Sequence, residues 1–243
     1  MIVKKLKEVG RTLLKIPKKK SPVVEFRSYA QAGEDKVIEF LFHSMATSKI
    51  SYLEIGTNNP IQHNNTYLFY RKGCRGVCVE PNPTLIPTIK KARPEDICLN
   101  VGVARQKADA LDFHIFDERD EAKGLSTFSK EEAHHVESTT GIKVARVERI
   151  PVITINEILE KYFVEKAPDF LSIDVEGLDL DILQSIDFTT CRPIAICVET
   201  VRFSLSHNRI KRNDIIEFMV SKGYPVYADT GINSIFVDKN VFA

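Results

Sequence analysis

Two short stretches of sequence decide the fold of this chain: YLEIGTN at Tyr52–Asn58 and VCVEPN at Val77–Asn82. Each is an apolar run typical of a buried strand, and each carries a carboxylate, Glu54 or Glu80, next to turn residues. The two acids lie 26 positions apart, which is enough for a strand, a loop, a helix and the next strand. Because ligands of open parallel sheets bind just beyond the carboxyl ends of the strands, the two stretches predict a nucleoside-type pocket.

The rest of the chain continues this alternation. Besides the first two strands, at 51–55 and 76–80, apolar runs predict strands at 97–101, 170–174, 193–199, 225–228 and 234–237. Helical patterns are found at 31–42, 66–72, 155–163, 178–186 and 209–222. Alternating strands and helices of these lengths are typical of a parallel sheet with helices on both faces. The sequence therefore predicts an α/β fold formed by one domain, residues 23–243.

One stretch, residues 110–152, departs from the alternation. Leu111–Phe116 and Arg146–Ile153 alternate apolar and polar side chains in the manner of half-exposed strands. The polar segment between them, 117–143, is interpreted as a mobile insertion between the third and fourth core strands. Together with residues 202–209, this segment lies where acceptor-binding loops belong in such a fold.

The amino-terminal residues 1–22 are predicted to form a basic tail and linker. Residues 1–20 contain eight Lys or Arg and one Glu, a net charge of +7, and apolar residues recur among them at near-helical spacing. Such a basic amphipathic helix can lie on an anionic membrane surface. A solvated helix or frayed tail that caps the domain is the alternative, and the sequence leaves both open.

Composition and charge bound the class of protein. The 243 residues are 43% hydrophobic and 28% charged, as expected of a soluble globular protein. Outside the tail the net charge is about −6, which argues against a broad nucleic-acid-binding surface. The five cysteines show no paired metal spacing, and their odd number favours a reducing compartment. No apolar stretch reaches the roughly 20 residues that span a bilayer, so we expect a cytoplasmic protein, with the tail as the one candidate for peripheral membrane contact.

The glycine pattern narrows the class of ligand. A dinucleotide site has three spaced glycines, G-x-G-x-x-G, and a phosphate-binding loop has G-x-x-x-x-G-K-[ST], but only Gly56 follows the first strand here. Four strand ends are predicted to meet at one edge of the sheet, and they carry Glu54 with Gly56, Glu80, Asn100 and Asp174. The pocket thus suits a nucleoside without a polyphosphate, and S-adenosylmethionine is the commonest such cofactor.

Six blocks of sequence, in order between about residue 28 and residue 199, carry a resemblance to a known family. They are SYAQAGED at Ser28–Asp35, EIGTNNP at Glu54–Pro60, NTYLFY at Asn65–Tyr70, GCRG at Gly73–Gly76, VEPNP at Val79–Pro83 and IDVEG at Ile173–Gly177. The chain resembles the FkbM methyltransferases, with Cys74 where the family often has tryptophan and Glu54 where it often has aspartate. The resemblance implies a class I methyltransferase fold, which is Rossmann-like with a mostly parallel seven-stranded sheet. It also implies S-adenosylmethionine as cofactor and O-methylation of sugars, glycolipids or polyketides.

The resemblance further implies roles for individual residues. Those that would border the cofactor, from its methionine end to its adenine edge, are Glu54, Gly56, Asn58, Glu80, Asn100 and Val101. Asp174 would stand at the junction of cofactor and acceptor. Glu80 would bind the ribose hydroxyls, although a carboxylate there can also cap the helix that begins near Pro83. Gly56 can likewise be read as an ordinary turn glycine.

Methyl transfer to an alcohol requires help from a base or a metal, because a protonated hydroxyl is a poor nucleophile. Asp174 and Glu199 both end strands at the predicted active edge, so either could take the proton or bind a divalent cation. Polar residues predicted to contact the acceptor are Glu176, Ser126, Thr127 and His207. We therefore predict an O-methyltransferase acting on a hydroxyl of a sugar, glycolipid or other small molecule. The alternatives are a non-catalytic S-adenosylmethionine-binding module of the same fold and a methyltransferase for a non-carbohydrate natural-product hydroxyl.

Overall fold

The structure, a computed structural model, describes residues 27–117, 124–202 and 210–242. Its helices are α1 (Glu34–Ser44), α2 (Tyr67–Arg71), α3 (Ile86–Ala92), α4 (Lys130–Thr140), α5 (Ile155–Tyr162), α6 (Asp179–Ser185) and α7 (Asn213–Ser221), followed by a 3-10 helix (Lys239–Phe242). Its strands are β1 (Ser51–Ile55), β2 (Arg75–Val79), β3 (Ile97–Leu99), β4 (Gly102–Val103), β5 (Ala108–Ile115), β6 (Arg146–Ile153), β7 (Phe170–Ile173), β8 (Ala195–Glu199), β9 (Val201–Arg202), β10 (Ile210–Lys211), β11 (Val226–Asp229) and β12 (Asn233–Val237).

The central sheet has the strand order β11-β12-β8-β7-β1-β2-β3. β12 runs antiparallel to both of its neighbours, and the five strands from β8 to β3 run parallel to one another. The predicted α/β fold with a mostly parallel sheet is therefore confirmed. Because β1, β2, β7 and β8 share one direction, their carboxyl ends lie at the same edge of the sheet.

Strands β1 and β7, near the centre of the sheet, are buried on both faces, since helices cover each side of the sheet. On one face, Leu53 of β1 belongs to a cluster that includes Ile158 of α5. On the other face, Tyr52 belongs to a cluster that includes Leu41 of α1. Side chains along a strand alternate between faces, so Glu54 lies on the same side of the sheet as Tyr52.

A second, three-stranded sheet of order β4-β6-β5 and helix α4 lie between β3 and β7 in the chain. We call the described residues of 102–153 the insertion. The interpretation of 117–143 as a mobile segment requires correction for its described part, because Lys130–Thr140 are helical. Ser129 caps α4 by accepting a hydrogen bond from the Glu132 amide at 3.1 Å, and Gly141 ends the helix in a left-handed conformation. The insertion also has a small core, whose buried members are Phe116, Leu125, Ala133 and Val136.

Two predicted helices begin later than expected, each for a local reason. The first begins at Glu34 rather than residue 31, because Gly33 adopts a left-handed φ of 92°. The last begins at Asn213 rather than residue 209, because Ile210 and Lys211 pair with β9 as strand β10. The predicted strand at 146–153 has the same bounds in the structure. Boundaries therefore shift where a turn or a short strand precedes the apolar pattern.

The predicted basic tail, residues 1–22, lies outside the described residues. Within the described ranges, none of the helices combines the length and the apolar character needed to cross a bilayer. Contact between the tail and an anionic membrane stays a prediction. Comparing sedimentation of the full chain and of a chain lacking residues 1–20 with anionic vesicles would test it.

Candidate active site

A cleft opens at the carboxyl ends of β1, β2 and β7. Its lining includes Gly56 and Glu80 from the ends of β1 and β2, and the apolar side chains of Val101 and of Phe113 and Phe128 from the insertion. A concave site with apolar walls and a few polar groups is typical of small-molecule and cofactor sites. The cleft lies at the strand ends where Tyr52–Asn58 and Val77–Asn82 predicted a ligand site. The insertion contributes further lining residues that these two stretches did not predict.

Gly56 brings the ends of β1 and β7 into close contact. It has a φ of 87°, and a Cβ atom at this position would lie 1.8 Å from the carbonyl oxygen of Asp174. The Asp174 amide donates to the carbonyl of Ile55 at 3.0 Å, and the Gly56 amide donates to that of Val79 at 3.0 Å. Only glycine fits this approach of two backbones, so Gly56 is more than an ordinary turn residue.

Glu80 ties together the loops that follow β1 and β2. Its Oε2 accepts a hydrogen bond from the Asn58 amide at 2.7 Å, and its Oε1 accepts one from the Asn82 amide at 2.7 Å. The side chain is buried yet borders the cleft. A carboxylate has about four acceptor sites, so Glu80 can hold both loops and still accept bonds from a diol. Asn58, in a left-handed conformation with a φ of 46°, lines the cleft beside it.

Asn100 and Val101 have different roles although they are adjacent. Val101 lines the cleft. The Asn100 side chain instead donates to the carbonyl oxygens of Glu80 and Pro81, both at 2.9 Å. These bonds fix the loop that carries Glu80, and the Asn100 amide is therefore a support for the predicted cofactor site rather than part of its surface.

Glu54, which the resemblance places beside the cofactor, lies behind the cleft in the structure. Its side chain is buried on the α1 face of the sheet and is not among the groups that line the cleft. Its Oε2 accepts hydrogen bonds from Arg93 Nη1 at 3.0 Å and from Asn64 Nδ2 at 3.0 Å. Asn64 Nδ2 also donates to the carbonyl of Asn59 at 3.1 Å. Glu54 thus holds the loop after β1 from behind.

Arg93 is a supporting residue of the site that sequence reasoning missed. Its guanidinium is fully buried and donates to Glu54, to Asp96 Oδ2 at 2.7 Å and to Thr66 Oγ1 at 2.8 Å. We call Arg93 and its partners Glu54, Asn64, Thr66 and Asp96 the Arg93 network. Burial lowers the pKa of Arg93, but Glu54 and Asp96 are among the groups that offset this and raise it above its ordinary value. Its partners come from three separate segments, so no local pattern marks it.

Three carboxylates meet at the carboxyl ends of the neighbouring strands β7 and β8. One oxygen each from Asp174, Glu176 and Glu199 lies within 4.8 Å of the other two. We call these three residues the acid cluster. Asp174 and Glu176 line the cleft, and Glu199 is not among the lining residues but adjoins them. The structure therefore brings together the two residues predicted as catalytic, and adds Glu176, which had been predicted to contact the acceptor.

The acid cluster favours protonated carboxyl groups. Burial and the negative charges of Asp179, Glu54 and Glu34 raise the pKa of Asp174 to about 7. Burial and the negative charges of Glu199 and Asp174 raise the pKa of Glu176 well above its ordinary value. Both causes disfavour the ionised form. At neutral pH the cluster therefore holds protons that can be exchanged with a ligand, which is a common property of catalytic carboxyl groups.

The predicted acceptor residues fall into three groups. Ser126 lines the cleft, where its hydroxyl also accepts a hydrogen bond from the Phe116 amide at 3.2 Å. Thr127, also predicted to contact the acceptor, is fully buried behind the lining residues and donates to the carbonyl oxygen of Glu176 at 2.8 Å. His207 lies outside the described residues.

Comparisons with known proteins place the chain in a family. No curated protein matches it by sequence. Among solved structures, it is similar to a TehB-like SAM-dependent methyltransferase from Corynebacterium glutamicum, with 10% identity, a TM-score of 0.43 and coverage of 98% of this chain and 96% of that one. It is also similar to a provisionally named RNA methyltransferase from Pyrococcus horikoshii, with 12% identity, a TM-score of 0.39 and coverage of 96% and 97%. Residues 54–226 match the model of the methyltransferase FkbM domain, and the chain therefore belongs to the FkbM methyltransferase family.

Proposed function

We propose that this protein is an S-adenosylmethionine-dependent O-methyltransferase that acts on a hydroxyl group of a sugar or glycoconjugate. The observation that carries the proposal is the arrangement of the cleft. Glu80 offers a carboxylate suited to a ribose diol at the end of β2, and the acid cluster offers proton acceptors at the ends of β7 and β8. Donor and acceptor would thus meet across Gly56, where the strand ends are closest.

The residues of the cleft fit the proposed cofactor. Glu80 would accept bonds from the ribose hydroxyls, the turn at Gly56 and Asn58 would border the methionine portion, and Val101 and Phe128 would cover the base. Gly56 matters here because a side chain would strike Asp174 and close the passage between the two halves. When bound, S-adenosylmethionine would supply an electrophilic methyl group: the acceptor oxygen would bond to the methyl carbon as the carbon–sulfur bond breaks, and the neutral thioether S-adenosylhomocysteine would leave.

Asp174 is the residue that we assign as general base. It lies at the cleft with a pKa of about 7, which is near the value that serves proton transfer best at neutral pH. Its carboxylate would take the proton from the acceptor hydroxyl, while protonated Glu176 would donate a hydrogen bond to the acceptor. A positioned base contributes about 10²–10⁴-fold, and alignment of the two reactants contributes several further kcal/mol.

A divalent cation held by the acid cluster is the alternative to a general base. Carboxylate oxygens are the ligands that Mg²⁺ and Ca²⁺ prefer, and the spacing of the three acids is compatible with one ion. Turnover after treatment with a chelator separates the two mechanisms. Full activity in chelator supports the base, and activity that returns only with added Mg²⁺ or Mn²⁺ supports the cation.

The proposed acceptor class comes from the polar groups near the cleft mouth. Ser126 of the insertion and Glu176 both line the cleft, and hydroxyl and carboxyl groups of this kind bind hydroxyl-rich molecules. The protein should be assayed with labelled S-adenosylmethionine against sugar nucleotides, glycolipids and non-carbohydrate alcohols, with calorimetry of cofactor binding in parallel. Transfer only to non-carbohydrate alcohols would remove the sugar proposal, and cofactor binding without transfer would indicate a non-catalytic module.

A further inference from the structure

Thr127 connects the insertion to the acid cluster. Its hydroxyl donates to the carbonyl oxygen of Glu176 at 2.8 Å and accepts from the Ser129 amide at 2.9 Å. Its own backbone is held by His114, whose amide donates to the Thr127 carbonyl at 2.8 Å and whose carbonyl accepts from the Thr127 amide at 3.0 Å. Thr127 is fully buried. The insertion therefore holds the Thr127 hydroxyl in place, directed at the carbonyl oxygen of Glu176 in the acid cluster.

The backbone of Glu176 needs such a restraint. Glu176 has a φ of 53°, in the left-handed region that residues other than glycine seldom occupy, and Gly177 follows with a φ of 104°. A non-glycine residue in this region costs about 1–3 kcal/mol and is kept there only by its surroundings. Relaxation of this turn would redirect the Glu176 side chain away from Asp174 and Glu199.

A second restraint on the same turn comes from the core of the protein. The carboxylate of Asp179, at the start of α6, accepts hydrogen bonds from the amides of Val175 and Gly177, both at 3.2 Å. These bonds fix the residues on either side of Glu176. The Thr127 hydroxyl restrains the Glu176 peptide group itself, and it reaches there from the insertion rather than from the core.

We propose that Thr127 is a positioning residue, which holds the strained backbone of Glu176 so that the insertion and the acid cluster act as one unit. The role rests on the proposed function only in its catalytic part, because the conformation of the turn can be measured without turnover. Thr127 was predicted from the sequence to touch the acceptor. In the structure its hydroxyl instead contacts the backbone of Glu176.

The test compares two substitutions at this position. Thr127→Val removes the hydroxyl at nearly constant volume, and Thr127→Ser keeps it. Thr140→Val is the matched control, since Thr140 is also in the insertion but donates to the carbonyl of Val136, within α4. Hydrogen–deuterium exchange of residues 174–178 should accelerate about tenfold in Thr127→Val and stay at the wild-type rate in the other two variants. Wild-type exchange in Thr127→Val would overturn the proposal.

Kinetics then test whether Thr127 acts through Glu176. We expect Thr127→Val to lower kcat by about tenfold with little change in the cofactor KM, and Thr127→Ser to restore kcat. In a Glu176→Gln background, Thr127→Val should have almost no further effect on kcat. Equal losses in both backgrounds would show a general packing role and overturn the proposal. Absence of turnover by the wild type would reject the proposed function, while the exchange experiment would still decide the positioning role.

Discussion

Two groups of carboxylates, the buried Arg93 network and the acid cluster at the carboxyl ends of β7 and β8, differ in how their charge is balanced. In the Arg93 network, Glu54 and Asp96 surround a buried guanidinium at hydrogen-bond distances of 3.0 and 2.7 Å. In the acid cluster, the charges that act on Asp174 come from Asp179, Glu54 and Glu34, and all are negative. In the first group burial raises the pKa of Glu54 but the Arg93 cation opposes this rise, whereas the second group is suited to hold protons.

The difference follows from where each group faces. The Arg93 network lies behind the loop after β1, with Arg93 fully buried, so its bonds can only support the protein. The acid cluster adjoins the cleft, so a ligand can supply or remove a proton. The carboxylates that surround one buried arginine therefore form a supporting group, and the carboxylates at the cleft without such a cation form a reactive group. Substitutions in each group should have different kinds of effect.

The largest effect is expected at Asp174, on turnover rather than on stability. Asp174→Asn removes the proposed base at nearly constant shape, and kcat should fall by about 10²–10⁴-fold. Cofactor binding, measured by calorimetry, should change by less than about threefold, because Glu80 and Asn58 are unaltered. Asp181→Asn, on the exposed side of α6, is the control. Near-normal turnover of Asp174→Asn would remove the assignment.

Substitution of Arg93 should instead destabilise the whole fold. Arg93→Met leaves Glu54 and Asp96 buried without their cation, and removal of one partner of a buried pair costs about 3–5 kcal/mol. Urea denaturation measures this loss. Arg149→Met is the matched control, because its ion pair with Asp112 is exposed on both sides and should contribute less than about 1 kcal/mol. A similar small loss for Arg93→Met would mean that the network is not the support described above.

Local sequence patterns predicted the acid cluster better than the Arg93 network. Asp174 and Glu199 were found from sequence because each ends an apolar run, and neighbouring parallel strands bring such ends together. Arg93 could not be found in this way, because its partners lie 3, 27, 29 and 39 positions away. The partners of Glu54 were missed for the same reason, since Arg93 lies 39 positions away in the sequence.

The insertion shows a second limit of sequence patterns. Helix α4, KEEAHHVESTT, has only two apolar residues, too few for a helical stripe to stand out from a polar loop. Its capping residues, Ser129 and Gly141, were the available signal. Thr127 was assigned to the acceptor because of its hydroxyl, and only the pairing with His114 shows that this hydroxyl is directed inwards.

Glu80 is a third kind of buried carboxylate and should give an intermediate effect. Its two oxygens accept from backbone amides at 2.7 Å, and such bonds to a charged acceptor contribute about 1.5–3 kcal/mol. Glu80→Gln replaces one acceptor oxygen with a donor, so cofactor affinity by calorimetry should fall about 10- to 100-fold. The acid cluster is unchanged, and kcat at saturating cofactor should remain within about threefold. Unaltered affinity would contradict a role for Glu80 in binding the ribose.

The smallest effect is the pH dependence of stability. An unfolded chain releases the Asp174 proton near pH 4, whereas the native protein holds it until about pH 7. Between these values the native state binds more protons, so the stability contributed by this group is full below pH 4 and lost as pH rises through 7. The groups that face Asp174 are Glu34 of α1, Glu54 of β1, Asp179 of α6, and Glu176 and Glu199 of the cluster.

Urea denaturation at several pH values between 5 and 8 would measure this dependence. The wild type should lose stability as pH rises over this range, and Asp174→Asn should lose less, because it has no proton to release at this position. Asp181→Asn should follow the wild type. Equal slopes for the wild type and Asp174→Asn would mean that Asp174 is already ionised at low pH, and would place it with the charge-balanced carboxylates instead of the reactive ones.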